Sequence, residues 1–356
     1  MTVRASLFFI VSMNLNILDD VQLEHLRAII QESKNIVVCC HKSPDGDAMG
    51  ATLAWTEYLR MLDKQVTMAV PDAFPDFLRW LPGVERIVRY DKHPDKVETA
   101  FQQADTVFCL DFNDTHRVVD MQQTLEQAQA RKVLIDHHLQ PTVPAELTLS
   151  FPEMSSTCEL LFRILYQMGE YERMNKHILV ALYCGMMTDT GGFTYNSRRP
   201  ELYYIIGLML EKRIDKDKIY RQVYNNYSDW CIRFRGFVMY QKLNVISDAH
   251  AAFFSITRED MKRFHFVKGD AEGLVNEPLR IKGMQLSISL REDSEIDNKV
   301  WVSLRSVEPA CCNNLAKLFY NGGGHANASG GQLSCSIEEA ERITRQAIKY
   351  FSENGG

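Results

Sequence analysis

The stretch Ile36-Val-Val-Cys-Cys40, followed at once by His41-Lys-Ser-Pro-Asp45-Gly-Asp47, decides how this chain reads. A short apolar run without polar alternation is what a strand buried on both faces looks like, and such strands belong to parallel sheets covered by helices. Pro44 and Gly46 mark a turn leaving that strand, and an apolar helical stretch over residues 49–62 follows. Further strand-like runs at 66–70, 107–110 and 133–135 alternate with amphipathic segments. This βαβ rhythm predicts an α/β fold with a doubly wound parallel sheet.

Such sheets carry their chemistry at the carboxyl ends of the strands. Here those ends bear His41, Asp45 and Asp47, then Asp111 after Val107-Phe-Cys-Leu110, then Asp136-His137-His138 after Val133-Leu-Ile135. A buried helix is expected over 177–187, and it runs into Thr188-Asp189, where an unpaired buried carboxylate would be costly. Four separate elements thus end in a ligand-type residue. Oxygen and imidazole donors without thiolate suit Mn²⁺ or Mg²⁺ better than structural zinc. The bland alternatives are turn decoration, with Asp47 a helix cap and Asp136 a strand-end turn former. The number of Asp and His donors fits two ions and is generous for one.

The bounds are those of an ordinary globular protein. At 356 residues two domains are expected, with 46% hydrophobic and 24% charged residues. A net charge of -6 argues against long duplex nucleic acid, so any polynucleotide partner should be short. Nine cysteines, with Cys39-Cys40 and Cys311-Cys312 adjacent, do not make a disulfide framework, and a reducing cytoplasm is the expected location. The apolar stretch at 6–13 after Arg4 is too short for a bilayer and lacks a cleavage site, so it reads as a leader before Met13, and no membrane partner is expected.

Beyond residue 200 the pattern becomes helical and charged over 201–248, as a connector would be. Runs at 252–256, 285–290 and 300–304 alternate as antiparallel strands do. The glycine-rich Gly322-Gly-Gly-His325-Ala-Asn-Ala-Ser329-Gly-Gly331 precedes a terminal amphipathic helix over 337–351. Glycine turns let N–H groups face an anion, so Gly322, Gly323, Gly324 and His325 are candidates for phosphate binding. Arg305, at the end of a strand, is the natural clamp. Arg117 is a weaker candidate that could pair structurally with Asp114 or Asp120.

Taken together, these motifs resemble the DHH phosphoesterase superfamily, named for the triplet standing here as Asp136-His137-His138. The resemblance spans nearly the whole chain and is nearest to the two-domain oligoribonuclease and 3′-phosphoadenosine 5′-phosphate phosphatase group. The added domains of RecJ-type exonucleases and the sensor and membrane parts of larger cyclic-dinucleotide phosphodiesterases are not expected. The resemblance implies a DHH domain over 14–200, the connector over 201–248, and a smaller α+β DHHA1-like substrate domain over 249–356. It implies that His41, Asp45 and Asp111 hold one ion and Asp47, Asp111, His137 and Asp189 a second, with Asp111 bridging. His138 would face the substrate phosphate with Asp136 orienting a histidine. Arg305, Ser306, Gly322, Gly323, Gly324, His325 and Ser329 would bind substrate.

The implied activity is two-metal, Mn²⁺- or Mg²⁺-dependent hydrolysis of short oligoribonucleotides, linear dinucleotides or 3′-phosphoadenosine 5′-phosphate. The alternatives are hydrolysis of inorganic polyphosphate or pyrophosphate on the same site, and a non-catalytic nucleotide sensor. A pyrophosphatase would crowd the site with lysine and arginine, whereas only Arg305 is obvious. Whether the chain pairs as a homodimer is left open.

Overall fold

The computed structural model describes residues 13–267 and 269–354, so the expected leader, apart from Met13, lies outside the described residues. The chain divides after Val223 into two compact units. In the first, β1 (Asn35–Cys39), β2 (Gln65–Val70), β3 (Val88–Arg89), β4 (Thr106–Leu110), β5 (Arg131–Asp136) and β6 (Leu147–Ser150) form one sheet in the order β3-β2-β1-β4-β5-β6. Every pairing in it is parallel. The order reverses between β1 and β4, the switch point at which doubly wound sheets open a crevice for ligands.

Helices α1 (Asp20–Glu32), α2 (Gly46–Met61), α3 (Pro94–Gln103), α4 (Gln122–Gln127), α5 (Thr157–Gln167) and α6 (Lys176–Asp189) cover this sheet. Val37, Cys39, Val107 and Cys109 pack against Val97, Phe101 and Leu125 of α3 and α4. Helices α2, α5 and α6 pack against one another, and α2 also contacts β1, β2 and β4. Helix α6 is apolar nearly all round and carries nine buried residues from Ile178 to Met187, as a helix enclosed by neighbours must. Asn175 caps it and Ser156 caps α5. The sheet and its two faces of helices are those the sequence predicts; short β3 and β6 carry too few residues to signal themselves.

The second unit contains β7 (Asn244–Ile246), β8 (Ala251–Ile256), β9 (Leu286–Glu292), β10 (Val300–Ser306), β11 (Gly323–Gly324) and β12 (Ala328–Leu333) in the order β11-β12-β10-β9-β8-β7. Its core joins Leu286, Ile288, Leu290, Val300, Val302 and Leu304 to residues 310–320 and to the terminal helix. Three differences from the sequence reading matter. The β8–β9 pair is parallel, not antiparallel, because the connection between them holds the helix Arg258–Arg263 and the 3₁₀ turn Leu274–Arg280 and so can cross over. The expected connector is divided: Pro200–Glu211 and most of Lys216–Tyr224 belong to the first unit, the remainder to the second. The glycine stretch is no simple loop, since Gly323 and Gly324 pair with Gly330 and Ser329 as an antiparallel ladder.

Candidate metal centre

The first motif leaves β1 and enters α2 through one residue with two roles. Asp45 caps α2, its Oδ1 accepting from the Asp47 and Ala48 amides at 3.0 Å each. Its Oδ2 stays free and lies 3.8 Å from His41 Nε2. The cap is therefore Asp45, and Asp47 is available for something else. His41 donates Nδ1–H to the Lys42 carbonyl at 2.8 Å. A carbonyl can only accept, so this bond fixes the tautomer and leaves the Nε2 lone pair facing Asp45 and, at 3.5 Å, Asp111 Oδ2.

Asp47 is buried at the α5 N-terminus. Its Oδ2 accepts from the Thr157 amide at 2.7 Å and its Oδ1 from the Cys158 amide at 2.9 Å. Two of the helix's orphan N–H groups thereby find a partner, and the positive end of the dipole faces a carboxylate. Burial, followed by Asp111 and Asp189, nonetheless pushes the Asp47 carboxyl well up. The sequence reading missed Thr157 altogether: its hydroxyl also donates to Asp111 Oδ1 at 2.9 Å. Residues flanking a serine pair carry no signal that they touch a strand end forty-six positions earlier.

Asp111 sits at the centre. It follows β4 with φ 64, a left-handed conformation that Asp tolerates better than most residues. Its Oδ2 faces His41, while its Oδ1 lies 3.6 Å from His137 Nε2 and 3.8 Å from His138 Nδ1. His137 Nε2 is 3.8 Å from Asp47 Oδ2 and 3.5 Å from Asp189 Oδ2. The other ring nitrogen donates to the Met154 carbonyl at 3.3 Å. His138 Nδ1 is 2.7 Å from Asp136 Oδ1, and Asp136 is fully buried. Donor sets with all ligand atoms within 4.8 Å thus form at His41–Asp45–Asp111, at Asp47–Asp111–His137 and at Asp111–Asp136–His138.

These spacings suit ions. Two donors each ~2.1 Å from one cation stand roughly 3.0–3.5 Å apart at octahedral to tetrahedral angles. None of Asp45, Asp47, Asp111, Asp136 or Asp189 has a lysine or arginine ion pair among the described residues; their charged partners are histidines. Burial raises Asp189 to about 6. Burial also opposes charge on His137, but Asp189, Asp111 and Asp47 outweigh it and push that imidazole up to about 9. Asp111 goes the other way: burial is overcome by His41, His138 and His137, which hold it far below the usual carboxylate range. A cluster that must borrow protons to balance itself is one that divalent cations fit.

In the second unit, Arg305 is half-buried on the sheet face opposite the Leu304 core, paired in register with Ser287 on β9. Arg305 Nε and Ser287 Oγ are both buried without a hydrogen-bond partner. Ser287 was not singled out from sequence, because a serine in a strand pattern reads as an ordinary polar position. Ser306 and Ser329 are differently placed from expectation. Ser306 Oγ donates to the Ala310 carbonyl and accepts from the Cys312 amide and Asn327 Nδ2, and Ser329 Oγ donates to the His325 carbonyl. Both hydroxyls hold the chain itself. The Gly322 and His325 amides donate to the Ala316 and Ala328 carbonyls, so they cannot form the cradle of free N–H groups the glycines suggested. Gly322 is required for a different reason: a Cβ there would stand 1.9 Å from the Gly330 carbonyl oxygen.

Comparison with known proteins bears on the family and the fold. The profile of the DHH family, N-terminal domain, matches residues 35–186. The bifunctional oligoribonuclease and PAP phosphatase NrnA of Bacillus subtilis is 25% identical over 312 residues, covering 86% of this chain and 92% of that protein. The crystal structure of an exopolyphosphatase-related protein from Bacteroides fragilis superposes with a TM-score of 0.90 at 43% identity, covering 95% of this chain and 98% of that one. RecJ of Thermus thermophilus in complex with Mn²⁺ shares the fold, with a TM-score of 0.55 at 12% identity over 95% of this chain and 56% of that one. With its two-sided parallel sheet, its Asp136-His137-His138 triplet and these relatives, the chain belongs to the DHH family of phosphoesterases.

Proposed function

We propose that this phosphoesterase hydrolyses short oligoribonucleotides or linear dinucleotides, and removes the 3′-phosphate of 3′-phosphoadenosine 5′-phosphate. Two divalent ions, Mn²⁺ by preference, are held by His41, Asp45 and Asp111 and by Asp47, Asp111, His137 and Asp189. The observation that supports this is Asp111, whose two oxygens face two different donor sets. When bound, such ions supply the charge that activates water and stabilises in-line displacement at phosphorus. The chain's own residues do the rest. The α5 amides fix Asp47, the Thr157 hydroxyl fixes Asp111, and Asp136 fixes the ring of His138, which then holds a proton for a phosphate oxygen. Arg305 and His325 bind the part of the substrate that does not react.

Ion uptake should displace protons. In the ion-free protein His137, raised to about 9, carries a proton at neutral pH, whereas an ion needs the neutral ring. Mn²⁺ affinity should therefore rise with pH between about 6, where Asp189 ionises, and about 9, where His137 loses its proton. Titrating metal-free protein with Mn²⁺ in weak buffer near neutral pH should release about one proton or more per chain. No release would place His137 outside the ligand set.

A second reading, polyphosphate hydrolysis, is favoured by the name of the Bacteroides fragilis relative. One panel separates the two: a dinucleotide, 3′-phosphoadenosine 5′-phosphate, inorganic polyphosphate and the generic ester bis-p-nitrophenyl phosphate, each with Mn²⁺. Replacing Arg305 or His325 by Ala should lower kcat/KM for the nucleotides by about ten- to a hundredfold, the value of one charge-assisted phosphate contact of ~1.5–3 kcal/mol. The generic ester has no distant phosphate and should be cleaved as before. Equal losses on both substrates would assign Arg305 and His325 to the reacting centre or to the fold, and faster turnover of polyphosphate than of any nucleotide would favour the second reading.

A further inference from the structure

We propose that Arg117 is a catalytic residue of this centre, its guanidinium holding an oxygen of the phosphoryl group under attack on the His41–Asp45 side. The inference rests on the phosphoesterase reading and adds a contact to it. Arg117 lies on the 3₁₀ segment Thr115–Met121, just beyond Asp111. Its carbonyl accepts from the Lys42 amide at 2.8 Å, so the loop after β4 is tied by main chain to the loop carrying His41. Burial opposes charge on His41 but Asp111 and Asp45 push its pKa up on balance, and the Arg117 guanidinium is near enough to work against them.

The structural alternative was a salt bridge to Asp114 or Asp120. Asp114 is taken instead by the His116 amide and ring, and by the Thr142 hydroxyl. Neither aspartate pairs with Arg117. Among the described residues the half-buried Arg117 side chain has no ion pair or hydrogen bond. A guanidinium with a purely structural role is normally held by an acid or by carbonyls. The segment that presents it is also strained: Val119, β-branched, has φ 45 and ψ -109. Ser43 and Asp111, on the two loops it joins, have φ 53 and φ 64. Conformations of this kind persist where the surrounding structure imposes them, and they gather at functional sites.

A free planar fork near His41 matches the oxygens of a phosphoryl group, and a preorganised cation there acts on charge that grows in the transition state. The reaction is addition of water: a new P–O bond forms from water, the ester P–O bond breaks, the water loses a proton and the departing oxygen gains one. Arg117 keeps its protons throughout and contributes charge and two N–H donors.

The test compares Arg117→Met and Arg117→Lys with the parent, all loaded with Mn²⁺. It reads turnover of a dinucleotide and of bis-p-nitrophenyl phosphate, calorimetric affinity for inorganic phosphate, and Mn²⁺ content. The Met variant should lose on the order of 100-fold or more in kcat on both substrates, the scale set by removing one preorganised donor. It should also bind phosphate more weakly, by about tenfold, while Mn²⁺ content stays at the parent's level; Lys should recover part of each loss. Because the tie to Lys42 is main chain, neither variant removes it. Parent-like turnover and phosphate affinity in the Met variant would overturn the assignment. So would a fall in Mn²⁺ content matching the fall in turnover, since Arg117 would then act through His41. If the parent cleaves no ester at all, the phosphoesterase reading fails, and the phosphate titration still judges Arg117 separately.

Discussion

Replacing Asp111 by Ala is expected to end turnover, by roughly four powers of ten or more, the scale on which groups acting as a unit fail. No other side chain of the centre faces both His41 and His137, so its loss removes a donor from each proposed ion at once. Mn²⁺ content after dialysis should fall from about two per chain to well below that. Replacing Asp47 by Ala should be milder in one respect: it leaves His41, Asp45 and Asp111 intact, so one ion should survive. The fold should persist in both, because the surrounding strands and helices hold their own apolar cores. Circular dichroism checks the fold, and elemental analysis counts the ions. An Asp111→Ala protein that keeps the parent's ions would remove Asp111 from the centre.

Gly185→Ala should damage stability and ion binding together, although glycine inside a helix is normally improved by alanine. A Cβ at Gly185 would stand 2.3 Å from Cys158 Sγ and 2.8 Å from Asp47 Oδ1. Helix α6 therefore approaches the α5 N-terminus closely enough that one methyl presses on the carboxylate those amides hold. Overpacking of this kind costs about 1–3 kcal/mol, and displacing Asp47 should weaken Mn²⁺ at the same time. Gly207→Ala is the control: it lies in a helix with nothing within 4 Å of the added methyl. That change should be neutral or stabilising by up to about 1 kcal/mol. Urea midpoints and Mn²⁺ titrations of both variants decide the matter. If Gly185→Ala is as harmless as Gly207→Ala, the contact between α6 and Asp47 is looser than the structure has it.

What the sequence by itself determined is local. Ile36-Val-Val-Cys-Cys40 and Val133-Leu-Ile135 read as buried strands, and in doubly wound sheets the ligands follow the strand ends. The sequence sets His41, Asp45, Asp47, Asp111 and His137 after buried strands and Asp189 at the end of a buried helix; their gathering near the switch point needs the strand order, which local pattern leaves open. What only the tertiary structure decided depends on contacts between distant segments, which no local pattern encodes. The pairing of α5 amides with Asp47 joins residues 110 apart. The glycines of the second unit read as an anion cradle until register showed that Gly322 is there to let one backbone pass another. Ser306 and Ser329 came as substrate ligands from the resemblance alone, and only the folded chain shows that their hydroxyls bond neighbouring backbone. The parallel β8–β9 pair was hidden because strand direction is set by the path of the connection, not by the alternation of side chains along the strand.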